Sequence, residues 1–348
     1  MAYDTIKLID KLVPDVRRAF LTAVQDIKRS AQLGIVSGHI ERGNIEAALL
    51  ALNIRPEFFA PLDDVLKSAY LQGGREALAG LPAIPDPFSG GRVVARFNGR
   101  NPRAEAWLAE QSSRLITGPA GMMNEIRESI RGVLRTGMQA GRGPRSVALD
   151  IVGQLNLATG AREGGIIGLT SGQKEAAQTA LAELRSGDPA AMQAYMRRKL
   201  REKQFDPIVR RAIRDGKPVS AKDAAKMAGR YSDRMLDWRG ETIARTELLG
   251  SLHAAQNEGM QQLIDDGKLT DRQITNIWDA ANDADTRESH RFMANQRRRR
   301  GVPFTTGAGY SMNYPGDRSL DAPAEEIINC RCRIVIDIDF ISELKPGD

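Results

Sequence analysis

The sequence predicts a mainly α-helical chain with a small α+β domain at its C-terminal end. Three observations carry this expectation. Aromatic residues make up only 5% of the 348 positions, while Ala, Leu, Met, Gln, Arg and Glu are plentiful, a composition suited to helices packed through aliphatic side chains. Apolar residues recur at three- and four-residue steps over the first eighty positions and again beyond Ser220. Alternating, β-branched stretches suited to strands gather late, at residues 273–278 and 334–340.

Residues 1–81 read as an N-terminal helical bundle, with Leu12, Val16, Phe20, Val24 and Ile27 on one stripe and breaks expected at Gly38, Gly43 and Arg55-Pro56. Residues 82–102 read as a Pro/Gly-rich linker. Pro82, Pro85, Pro87 and Gly90-Gly91 interrupt any helix there, and residues 92–97 read as a short strand entering an Asn98-Gly99 turn.

Residues 103–219 form a helical, basic middle region. Helices are expected from about 103 to 115 and from about 121 to 138, the second stopped by Ala140-Gly141-Arg142-Gly143-Pro144. Ser146 is placed to cap a further short helix. The stretch from Gly160 to Gly168 looks like a phosphate loop but lacks the Gly-Lys-Ser/Thr ending and a strong preceding strand, so it reads as a plain Gly-rich connection. Thr170 or Ser171 caps a helix through Leu184, and Asp188-Pro189 starts another that carries the basic run from Met196 to Arg201.

The terminal domain spans residues 220–340, followed by a tail at 341–348. A long amphipathic helix carries Tyr231, Met235, Trp238, Leu249, Leu252, Met260 and Leu263 and ends at Asp266-Gly267. The two late strands follow, so a helix packed on a short sheet is expected.

A net charge of +6 and a pI near 9.4 admit a polyanionic partner without requiring one. Residues 1–85 hold ten basic and ten acidic side chains and residues 281–348 hold ten and eleven, so the excess lies in the middle. Nowhere do 18 consecutive apolar residues occur, and the start Met1-Ala2-Tyr3-Asp4 lacks the basic and apolar regions of an export signal. The expectation is a soluble protein made in the cytoplasm, with no membrane required for folding. The two cysteines, Cys330 and Cys332, are one residue apart at the start of a strand, too far apart and too parallel to bridge each other, which excludes a disulfide scaffold.

Chemistry-bearing residues concentrate between positions 245 and 332, and three readings of them stand open. Cys330 and Cys332 on one side of a strand, joined by His290 and a carboxylate such as Asp285, satisfy a four-coordinate zinc site. Alternatively a cysteine nucleophile is activated by His290 and oriented by Asp285, which would make the chain a zinc- or Cys/His-dependent enzyme. The third reading is architectural. The thiols are then buried as small apolar groups, Asp285-Thr286-Arg287 caps a helix running through His290 to Asn295, and Glu247 pairs with Arg287 or Arg331 to fix helix against sheet.

Arg297, Arg298, Arg299 and Arg300 form the sharpest basic feature. In a loop ended by Gly301 they suit a phosphate backbone or an acidic protein face. A nucleic-acid-binding protein using the basic helices and this arginine loop is therefore an alternative reading.

The ordered set Ala244-Arg245-Thr246-Glu247, Trp278, Asp285 to His290 with Arg287 between, Phe304, Pro315-Gly316-Asp317 and Asn329-Cys330-Arg331-Cys332 resembles the phage Mu F-type minor head proteins, the phage head morphogenesis family. The resemblance covers roughly residues 226–340. It implies a minor capsid protein without catalytic activity, a virion component in the head interior or at the portal and in the host cytoplasm during assembly. Its implied partners are portal and capsid or scaffold proteins, with double-stranded DNA during packaging or ejection. The charge-balanced N-terminal bundle is then the candidate for docking to a portal or capsid ring.

Overall fold

The computed structural model describes residues 4–84, 91–92 and 94–339. Within them the chain is mainly α-helical with a small sheet region near the C-terminal end. Its first half runs α1 (Thr5–Ser30), α2 (Leu33–Glu41), α3 (Ile45–Ala51), α4 (Ala60–Ala79), α5 (Pro102–Ile116), α6 (Met122–Gln139) and α7 (Pro144–Val152). A hairpin of β1 (Gln154–Leu155) and β2 (Arg162–Glu163) precedes α8 (Ser171–Arg185), α9 (Pro189–Met196), α10 (Asp206–Asp215) and the 45-residue α11 (Ala221–Asp265). The remainder is β3 (Ile274–Asp279), α12 (Glu288–Arg291), β4 (Arg297–Arg299), β5 (Phe304–Thr305), β6 (Ser311–Met312), α13 (Ala324–Ile327) and β7 (Arg333–Ile338). No helix among the described residues is long and apolar enough to cross a membrane.

The chain folds into two compact units, each assembled from separated segments. One takes residues 18–62 and 111–240, the other residues 1–17, 63–110 and 241–348.

In the first unit the core is largely aliphatic. Phe20, Val24, Ile27, Val36, Ile126, Ile130, Leu134, Val147, Ile151 and Leu184 are all buried. Helix starts follow local capping chemistry. Thr170 and Gln173 form a reciprocal capping box on α8, and Asp188 accepts the amides of Ala190 and Ala191 ahead of Pro189. Ser146 does not cap α7; Gly143 holds that position, because Pro144 with its missing N–H already suits the first turn. Gly38 does not break α2 either; the helix runs on to Glu41, two residues ahead of Gly43, which adopts φ +75°. Trp238, expected on the apolar stripe, is 52% exposed.

The Gly-rich connection after β1 turns its carbonyls toward cations. Lys28 Nζ donates to Gly164 O at 2.7 Å, and Arg239 Nη1 to Gly168 O at 2.6 Å. The amide of Gly164 donates to Asp233 Oδ1 at 2.8 Å. A phosphate cradle needs converging N–H groups, so this arrangement has the opposite polarity. Gly168, at φ +87°, has no room for a side chain, since a Cβ would lie 2.7 Å from Val24 Cγ2.

The expected basic helix through Arg201 also resolves differently. Helix α9 stops at Met196, and two of the guanidinium groups beyond it are tied to carboxylates: Arg198 Nε to Glu183 Oε2 at 2.7 Å and Arg201 Nη2 to Asp206 Oδ2 at 2.9 Å. These are partly buried braces. Helix α10 begins at Asp206-Pro207, a start signal that lies just beyond the basic run.

In the second unit a three-stranded antiparallel sheet has the order β4-β3-β7. Thr275 opposes Arg299 on one side of β3, and Trp278 opposes Ile334 on the other. A cluster of Leu78, Ile84, Met260, Leu263, Leu269 and Ile274 joins α4 and the end of α11 to the sheet, with Ile336 and Ile338 against it. A second cluster forms around Tyr70, Ala104, Ala254 and Ala255, and Tyr70 stacks on Trp107 with ring centres 4.8 Å apart. Small residues on α11 permit that close approach.

The strand expected at 92–97 is not formed at residues 94–97; Val93 and residues 85–90 lie outside the described residues, as do Phe340 and the 341–348 tail. Asn98 finds its partner in a side chain instead. Its amide donates to Gln262 Oε1 at 2.8 Å, and Gln262 Nε2 donates back to its carbonyl at 3.0 Å. One amide side chain thus supplies the hydrogen bonds that a neighbouring strand would have given.

Candidate functional site

The residues between positions 245 and 332 form a knot in this second unit, where three chain segments meet α11. Helix α13 ends in a turn that places Asn329 at φ +55°, and Cys330 N–H closes it on Ile327 O at 3.2 Å. Asparagine tolerates that left-handed conformation better than most residues. The turn delivers Cys330 and Cys332 inward just ahead of β7, and both thiols are buried. Helix α12 brings in His290 from the other side.

Both sulfurs converge on one ring nitrogen. Cys330 Sγ lies 3.4 Å and Cys332 Sγ 3.5 Å from His290 Nδ1, and the three donor atoms sit within 4.8 Å of one another. The Cys330 thiol hydrogen-bonds to Cys332. That bond, reinforced by His290 and opposed by burial, pulls the Cys332 thiol below the ordinary cysteine range. It holds the Cys330 thiol above that range, and burial adds to the effect.

On the far edge of the ring, His290 Nε2 lies 2.8 Å from Glu326 Oε2, close in distance though off the line of a straight hydrogen bond. Ser289 Oγ donates to the same carboxylate oxygen at 2.9 Å and steadies it. Trp278, fully buried on β3, lies nearly perpendicular to His290 at 5.5 Å between ring centres and meets Phe304 at 5.3 Å. An apolar wall and a carboxylate thus orient the histidine from two directions.

Asp285 does not join this group. An Asx turn at Asp283, whose carboxylate accepts the Asp285 amide at 3.1 Å, aims Asp285 outward, where its side chain is 87% exposed and 3.6 Å from Arg331. Glu326 is the acid that faces His290, and its position one residue after Glu325 on a short helix gave no signal of this in the sequence. The expected helix through Asn295 stops at Arg291, and its N-cap position is held by Arg287.

The signature residues make the framework. Thr246 Oγ1 accepts the amide of Asn329 at 3.1 Å, tying the cysteine turn to α11. Glu247 takes Arg318 at 3.2 Å, whereas Arg287 is directed at the carbonyl of Ile328 and Arg331 at Asp283 Oδ1 at 2.6 Å. Arg245 reaches Asp10 at 2.9 Å and Glu241 at 3.2 Å. In the Pro315-Gly316-Asp317 turn, buried Asp317 accepts the amides of Asn313 and Ser319, and Gly316 lies directly on Gly250 of α11.

The arginine run is strand rather than loop. Arg297, Arg298 and Arg299 form β4, paired with β3, because alternating contacts along the sheet edge can hold each long side chain separately. Arg297 pairs with Asp337; Arg298 Nη2 donates to Gln296 Oε1 at 3.1 Å; Arg300 reaches Asp271 Oδ1 at 2.8 Å. Two of the four guanidinium groups are thus already matched by carboxylates.

An open cleft of about 860 Å³ borders the knot, lined among others by Arg245, Asp279, Ala280, Asp283, Cys330 and Arg331. Its walls carry both charge signs. The thiols themselves are shielded, with Cys330 4% and Cys332 2% exposed. A Cys/His hydrolase needs a thiolate that substrate can reach, so the geometry suits held donors better than an attacking nucleophile.

No family model matches this chain, and no curated protein and no solved structure matches it either.

Proposed function

We propose that this chain is a phage minor head protein of the Mu F type, acting in head morphogenesis as a non-catalytic, portal-associated component. The observation that carries the reading is the burial of much of the signature, while Arg245, Asp285, Arg287 and Asn329 stay nearer the surface. Thr246, Glu247, Trp278, His290, Phe304, Asp317, Cys330 and Cys332 are all buried in one knot. Residues kept for turnover must meet a substrate, whereas residues kept for a fold need only meet one another. Their convergence supports a family-defining architecture, and the resemblance in their order supports a place in the phage head.

On this reading the portal and the capsid or scaffold proteins are the partners, and the chain resides in the head interior or at the portal, after assembly in the host cytoplasm. Contact with packaged or ejected DNA belongs to the same proposal. The carboxylate partners of Arg297 and Arg300 weigh against the arginine run as the main phosphate-binding surface.

The test is to image heads assembled with and without the chain and to assay portal co-purification. Density for the chain at the portal, with defective heads when it is omitted, is the expected result. Complete, normally infectious heads lacking it would overturn the proposal.

A further inference from the structure

We propose that Cys330, Cys332 and His290 bind one zinc ion through both sulfurs and Nδ1, with Glu326 as the carboxylate that orients the histidine.

The spacing of the donors fits the ion. With Zn–S near 2.3 Å and Zn–N near 2.0–2.1 Å, a tetrahedral centre separates sulfur from nitrogen by about 3.5–3.6 Å. The observed separations are 3.4 and 3.5 Å. Two thiols and an imidazole packed for apolar contact alone have no reason to aim all three donor atoms at one point.

The surroundings follow metal-site logic. A ligating histidine usually gives its other ring nitrogen to a carboxylate, which fixes the tautomer. Glu326 Oε2, 2.8 Å from Nε2 and held by Ser289, favours a proton on Nε2 and so leaves the Nδ1 lone pair pointing at the sulfurs.

Soft sulfur with imidazole selects zinc over the hard cations magnesium and calcium. Three protein donors leave the fourth position of a tetrahedral ion to another ligand. No head-assembly role is needed for this inference.

The test uses the full chain, reduced, stripped with a chelator and titrated without oxygen, with cobalt(II) as the probe. Expected are one equivalent bound, thiolate-to-cobalt charge transfer, the visible bands of a tetrahedral ion, and displacement by zinc. Cys332→Ser should lose most of the charge-transfer intensity. Glu326→Gln keeps every ligand and should weaken zinc binding by about 10–100-fold while helix content stays unchanged. A folded wild-type chain that takes up no cobalt overturns the inference, as does undiminished binding in the Cys330→Ala, Cys332→Ala double variant. Either failure leaves the head-protein proposal intact, since that is judged on assembled particles.

Discussion

His253 Nε2 accepts the amide of Ile334 at 3.3 Å, joining the middle of a helix to the start of a strand. Its other nitrogen, Nδ1, donates to Leu249 O at 3.0 Å, one turn back in α11. Both ring nitrogens are therefore committed in the neutral form, and burial lowers the pKa from 6.5 to about 4.

Acid should weaken the fold through this residue. Between pH 6.5 and 4 the unfolded chain takes up the proton while the folded chain resists it, so stability falls as pH drops through that window. The full shift corresponds to roughly 3 kcal/mol. In His253→Gln the loss of urea stability between pH 7 and pH 4 should shrink by that order. An unchanged pH dependence would mean that His253 is not held neutral.

Lys28 offers a test at the alkaline end. Buried against Gly164 O, its ammonium has a pKa lowered to about 8, chiefly by desolvation. Between pH 8 and 10.5 the unfolded chain holds a proton that the folded one has released, so this group makes stability rise with pH there, by roughly 3 kcal/mol in full. Denaturant titrations across the window should show wild type gaining on Lys28→Met. Parallel curves would refute the assignment.

Removing the Thr246 hydroxyl should loosen the cysteine turn. Thr246→Val keeps the shape but removes the acceptor of the Asn329 amide, whose hydrogen bond is partly buried, at a cost of about 1 kcal/mol. Thr246→Ser should recover most of it. Thermal unfolding of the two variants separates the hydrogen bond from the packing.

Gly316 and Gly141 make a matched pair. Both adopt positive φ, +85° and +61°, but a Cβ at Gly316 would sit 2.9 Å from Gly250 Cα, whereas one at Gly141 meets nothing within 4 Å. Gly141→Ala should cost about 1 kcal/mol of backbone strain. Gly316→Ala must also push the turn off α11 and should cost distinctly more. Equal melting shifts would show that the close approach is not needed.

Local chemistry made much of this structure legible beforehand. The stops at Gly141 and Gly267, the capping box at Thr170 and Gln173 and the Asp188-Pro189 start depend on neighbours in sequence. Residues 94–97 form no strand: apolar, β-branched residues suggest one whether or not an edge is present to receive it, and Gln262, far along the chain, occupies that role at Asn98. Soft donors flagged themselves in Cys330, Cys332 and His290, since few other side chains do that chemistry. Glu326 and Asp285 could not be ranked, because an Asx turn at Asp283 decides which carboxylate faces inward. His253 did leave a trace: it continues the buried stripe of Leu249 and Leu252.

The discontinuity of the two units has a consequence for the order of events during synthesis. Every residue of the unit made from 18–62 and 111–240 has been translated by position 240, whereas the unit holding Cys330 and Cys332 waits for its last strand, β7, which ends at Ile338. Domains generally fold as units while the chain emerges. On a ribosome, therefore, Tyr70 and Trp107 can meet early, whereas Leu78 and Ile84 remain without Met260, Leu263 and Ile274 until the C-terminal segment arrives.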